Sequence, residues 1–233
     1  MLMSARRLSL LFNGLFVGLL AVVHFLKSDL DPSWHFISEY AIGKHGWVMH
    51  AAFLSLAACN VATLVAIRTC LRTVWGRVGA CLFVIGTIGL VLSAIFVTDP
   101  INTPPESQTT SGNLHNLGGT LGLLGFLGTL ILSARLLRSE AWRASRTAVW
   151  TATGIVVLGF LVAFISIMVI VTEHQGVFGP DARVGWPNRI GILSGCVWLA
   201  IIAIQAIRLA RQDVARASSS ESHAGISQHD PSS

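Results

Sequence analysis

The chain has 233 residues, of which 53% are apolar and only 12% are charged. Soluble domains carry about 25% charged residues, so this composition excludes an ordinary soluble domain. The net charge of +5 would suit nucleic acid, but the basic residues lie in short segments between apolar stretches and form no basic–aromatic surface. We therefore expect no nucleic-acid partner.

Six apolar stretches follow one another along the chain. A helix needs roughly 20 mostly apolar residues to cross a bilayer, and lipid offers the backbone no hydrogen-bond partners, so each span must be helical. We predict an all-α polytopic membrane protein with a six-helix transmembrane domain in residues 1–210. Residues 211–233 are polar and rich in serine, and we expect a disordered cytoplasmic tail. The predicted spans are 8–26, 47–67, 78–97, 114–137, 148–171 and 190–209.

The basic residues predict how the chain is oriented. Of the 16 Lys and Arg residues, all but four lie in the N-terminus, the second and fourth connections and the tail. By the positive-inside rule, both termini lie in the cytoplasm. We expect a multi-pass protein of the cell (plasma or inner) membrane whose partners are membrane lipids. The sequence leaves the oligomeric state and any protein partner open. The four exceptions are Lys27, Lys44, Arg183 and Arg189.

The first outer loop carries the signals of a short interfacial helix. Asp31 and Pro32 form a good N-cap and first-turn pair, which predicts a helix over residues 32–42. In that helix His35 and Glu39 are neighbours at positions i and i+4. Lying in the membrane interface, the helix either covers the outer end of the bundle as a lid or serves as a plain linker.

Glycines spaced four apart predict where helices approach one another. Small residues let helix backbones come close, and packing of this kind holds helices together in lipid. We expect these glycines to lie in helix contacts and the fourth span to be central to the bundle. The G-x-x-x-G pairs are Gly14 and Gly18, Gly118 and Gly122, and Gly191 and Gly195.

No Asp, Glu, Lys, Arg or His lies near the middle of a predicted span, and the ionisable residues gather at the outer boundary. His24, His50 and His115 lie at outer helix ends, Asp99 ends the third span and Arg189 opens the sixth. In a compact bundle these ends face a common mouth. Such groups bind a metal, relay protons or hold a polar head group, or they simply pair with each other and with water.

We expect no metal and no cofactor. The spacing that zinc sites favour, such as H-E-x-x-H, does not occur in the sequence. His24, His50 and His115 are the only weak candidates for metal ligands.

Four short motifs resemble a large prokaryotic family of six-helix membrane proteins, domain of unknown function 998. The resemblance covers roughly residues 8–210 and implies a six-helix bundle in the cell membrane, without implying an activity. It falls on Ser38, Glu39, Asp99, His115 and Arg189, but Val97 stands where the family often has proline. The motifs are Phe36-Ile37-Ser38-Glu39-Tyr40-Ala41, Phe96-Val97-Thr98-Asp99-Pro100, Gly112-Asn113-Leu114-His115, and Asn188-Arg189-Ile190 with Trp198.

Three functions remain open from the sequence, and we favour the first. It is a non-enzymatic protein whose polar outer mouth binds a lipid head group or small amphiphile through Ser38, His50, Arg189 and His24. The second is a membrane-embedded enzyme acting on a lipid-linked substrate, with Asp99 or Glu39 and His115 as acid and base. The third is a small-solute transporter, ranked last because transporters usually keep ionisable groups at membrane depth.

The orientation can be tested with reporter fusions. A reporter that is active only outside the cytoplasm should be silent when fused within residues 138–147 and active within residues 98–113, because the first segment is basic and the second is not. The opposite pattern, with Arg143 outside or His115 inside, would contradict the predicted threading.

Overall fold

The computed structural model describes residues 4–173 and 178–227 of the chain. Within these residues there are six long α-helices and no strand. All six are long and apolar enough to cross a membrane, which confirms the predicted all-α fold with six spans. The helices are α1 (Ala5–Leu26), α2 (Trp47–Ala66), α3 (Val74–Ile95), α4 (Thr110–Leu137), α5 (Arg146–Glu173) and α6 (Gly185–Ser227).

Helices α3 and α4 begin earlier than their apolar stretches suggested, because side chains cap their first turns. Thr73 precedes α3 and its Oγ1 accepts a hydrogen bond from the Gly76 N–H at 3.1 Å. Thr109 precedes α4 and accepts from the Gly112 N–H at 3.0 Å in the same way. A threonine that satisfies a free N–H is a favourable start for a helix, so α3 and α4 each extend about one turn beyond the predicted span.

The sixth helix is longer than its predicted span. Its membrane-spanning part covers Gly185–Asp213, and the helix itself continues to Ser227. Residues 228–233 lie outside the described part of the chain. The disordered tail expected for residues 211–233 stays a prediction.

The helices associate as three hairpins, each made of consecutive helices. The most extensive contacts join α3 with α4, α1 with α2, and α5 with α6. Further contacts of α2 with α3 and of α1 with α6 arrange the three hairpins side by side, while α4 and α5 touch only sparingly. The bundle is therefore closed on most sides and loosely joined along the seam between α4 and α5.

The helix at the centre of this arrangement is α2. Its most apolar stretch is 56% buried, whereas that of α4 is 28% buried, and α2 contacts α1, α3 and α6. The prediction that the fourth span is central was wrong. The physical reason is that α4 packs mainly on α3 and leaves the opposite side of its surface exposed.

Only some of the predicted glycine contacts form. Gly118 packs against the backbone of Gly89 in α3, but a side chain at Gly122 would meet nothing within 4 Å. Gly14 and Gly18 likewise have open space around them. A second close approach between α3 and α4 joins Gly86 and Gly125, which belong to no G-x-x-x-G pair, and a Cβ on Gly125 would lie 2.9 Å from the Gly86 Cα.

The loop between α1 and α2, which the basic residues predict to be the first outer loop and which keeps that name below, does not form the predicted helix over residues 32–42. It contains a turn at residues 32–34 and a 3₁₀-helix at Ile37–Ala41. The two are separated because Phe36 has an extended backbone and its N–H donates to Glu39 Oε2 at 2.9 Å, which starts a new helical turn at that point. The predicted pairing of His35 and Glu39 does occur, with 3.0 Å between the imidazole Nδ1 and the carboxylate.

The contact between α3 and α4 can be tested by adding one methyl group. Gly125→Ala should lower the free energy of unfolding by about 1–3 kcal/mol, the usual cost of overpacking a close contact. Gly122→Ala, on the same helix, should leave it unchanged or slightly higher because its methyl group meets open space. Thermal unfolding in detergent compares the two variants, and equal melting temperatures would contradict the described packing.

Candidate functional site

A buried arginine organises one end of the bundle, the end that the basic residues predict to be the outer one. Arg189, near the start of α6, is only 5% exposed. Its Nε and Nη2 donate to Nε2 of His24 at 3.0 and 2.9 Å, and its Nη1 donates to the carbonyls of His35 and Gly185 at 2.8 and 2.9 Å. Nη2 also donates to the Tyr40 hydroxyl at 3.3 Å. Every N–H of the guanidinium therefore has an acceptor within the protein.

This arrangement fixes the protonation state of His24. Arginine can only donate, so Nε2 of His24 must carry the lone pair. The proton lies on Nδ1, which donates to the Leu20 carbonyl of the same helix at 2.6 Å. The imidazole ring also lies against the Tyr40 ring, with 4.4 Å between centroids. His24 is thus a neutral acceptor that joins α1 to α6.

Tyr40 connects the first outer loop to the same cluster. Its ring is fully buried, and the Arg189 guanidinium lies 5.6 Å from the ring centroid, within cation–π range. Burial raises the pKa of the Tyr40 phenol. The hydroxyl therefore stays protonated at neutral pH and donates to the Leu30 carbonyl at 3.1 Å.

Glu39 joins the first outer loop to the second. Its side chain is 3% exposed. Besides the Phe36 N–H, it accepts from the Ile101 N–H through Oε1 at 2.9 Å. Nearby, Lys27 donates to the carbonyls of Tyr40 and Ile42, and burial lowers the pKa of its ammonium group. Both charged side chains are used to hold loop backbone in place.

Asp99 supports the start of α4. Its two carboxylate oxygens accept from the N–H and the hydroxyl of Thr109 at 2.8 and 2.9 Å. Thr109 in turn caps the helix. The carboxylate also lies next to Gly112, where a side chain would collide with it. Asp99 therefore has a structural partner for each oxygen.

His50 and His115 both bond to the outer end of α3. Nδ1 of His50 lies 2.6 Å from the Ala94 carbonyl, and Nδ1 of His115 lies 2.9 Å from the Phe96 carbonyl. Carbonyls at the end of a helix have no partner within the helix, so histidines from α2 and α4 supply donors. Among the described residues, no group of three or more His, Cys, Asp or Glu side chains could hold a metal ion.

The predicted site residues are thus distributed over two clusters. Arg189 and His24 meet in one, and His50 and His115 meet at the end of α3 in the other. Glu39 links the two loops above them, while Ser38 is half-buried in the 3₁₀-helix. Their role in binding a ligand or in catalysis stays a prediction.

A cavity of about 380 Å³ lies deeper in the bundle, and the sequence analysis did not foresee it. It lies between the α3–α4 hairpin and the α5–α6 hairpin, with α2 behind. Its walls are almost entirely apolar and rich in glycine, and Asn188 lies at its outer end. Representative wall residues are Leu56, Phe83, Gly122, Val156, Gly195 and Trp198.

The cavity exists because glycines on its walls have no partner. A side chain at Gly119, Gly122 or Gly195 would meet nothing within 4 Å. Most of the remaining wall is apolar, and the polar wall residue Asn60 donates to Thr87 at 3.2 Å.

Two aromatic rings lie across the loosely joined seam. Phe126 of α4 stacks on Phe160 of α5, with 3.8 Å between centroids and 9° between planes, and both rings line the cavity. Beside them, Leu123 also lines the cavity and is 41% exposed on the outside of the bundle. The cavity therefore borders the lipid-facing surface of the seam between α4 and α5.

These features define an integral membrane protein with six spanning helices, a saturated polar cluster at one end and an apolar cavity inside. The chain belongs to the family described as "Protein of unknown function (DUF998)", whose profile matches residues 12–205. The match reaches into all six helices, which confirms the resemblance seen in the four motifs. Comparison with curated proteins and with solved structures gives no significant match.

The structural role of Arg189 can be tested by a substitution that keeps the positive charge and removes the planar guanidinium group. Arg189→Lys should lower the free energy of unfolding by about 2–4 kcal/mol, because hydrogen bonds to a charged group are worth roughly 1.5–3 kcal/mol each and lysine cannot reach all the acceptors. Thermal unfolding in detergent measures the change.

The matched control is the exposed Arg183. Arg183→Lys should stay within about 0.5 kcal/mol of the wild type, as surface substitutions usually do. An Arg189→Lys variant as stable as this control would show that the hydrogen bonds around Arg189 do not hold the outer end together.

Proposed function

We propose that this protein binds an amphiphile with a long apolar chain and carries out no reaction on it. The apolar chain of the amphiphile occupies the bundle cavity, and its polar end lies near the outer boundary beside Asn188. The observation that carries the proposal is the cavity itself. Its volume of about 380 Å³ falls in the range of small-molecule sites, which are typically about 300–1,000 Å³.

The position of the cavity supports entry from the membrane. It borders the seam where α4 and α5 touch sparingly, and Gly119 and Gly122 on this side carry no side chain to close it. The stacked rings of Phe126 and Phe160 cross the seam and separate without breaking a hydrogen bond. An apolar chain can therefore move between lipid and cavity without crossing water.

Asn188 supports an amphiphile over a plain hydrocarbon. Its Oδ1 accepts from the Ile37 N–H at 3.1 Å, and the structure gives its Nδ2 no acceptor among the described residues. The amide group can donate to the polar end of a ligand at the mouth of the cavity. Because Ile37 opens the 3₁₀-helix of the first outer loop, a ligand at Asn188 contacts the residue that anchors this loop, which suits a sensor or accessory subunit.

The enzyme hypothesis has less support. Its acids and base already have partners: Asp99 accepts from Thr109 through both oxygens, Glu39 accepts from two backbone N–H groups, and His115 bonds to the Phe96 carbonyl. A general acid or base must reach its substrate within hydrogen-bond distance. These groups would first have to release the loops that they hold.

Filling the cavity tests the proposal. Gly195→Leu puts a side chain into the cavity without a collision at Cβ. We expect roughly tenfold weaker binding of a fluorescent long-chain fatty acid, because displacing two methylene groups, at about 0.8 kcal/mol each, costs about that factor. Mass spectrometry of the purified protein should also find less co-purified amphiphile.

Gly18→Leu is the matched control. Gly18 has the same open surroundings but lies on α1 outside the cavity. This variant should bind the fatty acid like the wild type, and both variants should melt near the wild-type temperature. Unchanged binding by Gly195→Leu, or no binding by the wild type, would contradict the proposal.

A further inference from the structure

We infer that a second site, at the opposite end of the bundle, holds the phosphate group of one anionic phospholipid. The site is a pocket of about 430 Å³ between the start of α3 and the end of α4. It lies at the boundary that the arginine distribution predicts to be cytoplasmic, far along the helices from the outer loops. It is separate from the bundle cavity and does not depend on the function proposed for it. The pocket is lined by Thr73, Trp75, Ile131, Ala134, Arg135 and Arg138.

The ionisable side chains that line the pocket are all basic. Arg135 lies in the last turn of α4 and Arg138 is its C-cap residue, so the two are neighbours three positions apart. Among the residues that the structure describes, no carboxylate lines the pocket. The acid nearest in sequence is Glu140, which lies 3.9 Å from Arg143 and 3.3 Å from Arg146. Within the described part of the chain, the two pocket arginines thus lack the counter-ion that their neighbours have.

Arg135 supplies an observation that points directly to a ligand. Its Nε is buried and has no hydrogen-bond acceptor within the described residues. A buried donor without a partner is costly, and more so on a charged group. By contrast, Nε of Arg146 donates to the Leu137 carbonyl at 3.0 Å. A phosphate group in the pocket would offset the charge of Arg135 and accept from its terminal N–H groups, and the planar guanidinium matches phosphate geometry.

The start of α3 adds a second attraction for an anion. Thr73 is the N-cap of this helix, which is 22 residues long, and helix N-termini carry partial positive charge and free N–H groups. Oγ1 of Thr73 accepts from the Gly76 N–H. Its own hydroxyl proton remains available to donate to a phosphate oxygen.

The rest of the pocket favours a lipid over a free ion. Trp75 is 65% exposed at the start of α3, where an indole ring typically sits at the level of lipid head groups. Ile131 and Ala134 lie further along α4 toward the membrane interior and give an acyl chain an apolar surface. Basic pockets between helices on the cytoplasmic side are characteristic sites for anionic lipid head groups.

Native mass spectrometry tests this inference. The full chain is reconstituted in nanodiscs of mixed phosphatidylcholine and phosphatidylglycerol, and the lipids that remain bound after release are counted. The wild type should retain one phosphatidylglycerol in preference to phosphatidylcholine. Arg135→Gln with Arg138→Gln should lose at least about tenfold in retention, because charge-assisted hydrogen bonds are each worth about a factor of ten. Added inorganic phosphate should not displace the lipid.

The control removes the same charge elsewhere on the same boundary. Arg143→Gln with Arg211→Gln replaces two exposed arginines outside the pocket and should retain phosphatidylglycerol like the wild type. The double variant Arg135→Lys with Arg138→Lys keeps the positive charge but lacks the planar guanidinium groups. It should retain an intermediate amount of phosphatidylglycerol while melting near the wild-type temperature.

Three results would overturn the inference. They are equal loss in the control pair, equal retention of phosphatidylcholine, and displacement of the lipid by inorganic phosphate. Equal loss in the control pair would show that the lipid is attracted by the overall positive charge at this membrane boundary and not by the pocket. The second would remove the preference for an anionic lipid, and the third would make the ligand a free anion.

Discussion

The hydrogen bonds of Arg189 hold together parts of the chain that have little else in common at the outer boundary. Near the membrane a buried guanidinium is costly unless its donors are satisfied, because water cannot readily replace a missing acceptor. The protein meets this demand with His24 from α1 and with Tyr40 and a carbonyl from the first loop. The loop is therefore a fixed part of the bundle, and the position of Asn188, next in sequence to Arg189, is fixed with it.

The same demand explains why the interior is apolar and open. Polar side chains within the helices bond to neighbours, as Trp198 does with Ser133 at 2.9 Å, and the charged groups hold the loops. What remains inside is hydrocarbon surface with glycines. Where two glycines face each other, as at Gly86 and Gly125, the helices close tightly. Where a glycine faces nothing, as at Gly195, space remains.

The sequence predicted the features that depend on composition along the chain and missed those that depend on distant contacts. Six spans follow from apolar length, and the meeting of His24 with Arg189 follows from both lying at outer helix ends. Whether such groups find hydrogen-bond partners inside the protein depends on the geometry between residues distant in sequence, and Arg189 and His24 are 165 positions apart. Gly118 and Gly122 also show that the sequence motif does not determine the contact. They form one G-x-x-x-G pair, but Gly118 packs against α3 and Gly122 lines the cavity.

The hairpin arrangement also has a consequence for how the protein is made. Each hairpin joins helices that are synthesised one after the other, so its contacts can form as soon as the second helix has left the ribosome. The bond between Arg189 and His24 is different, because it needs α6 to meet α1, and five helices are synthesised before α6. Until α6 is in place, His24, Tyr40 and the first loop lack their common partner. Closure of this end is therefore a late step in the biogenesis of the bundle.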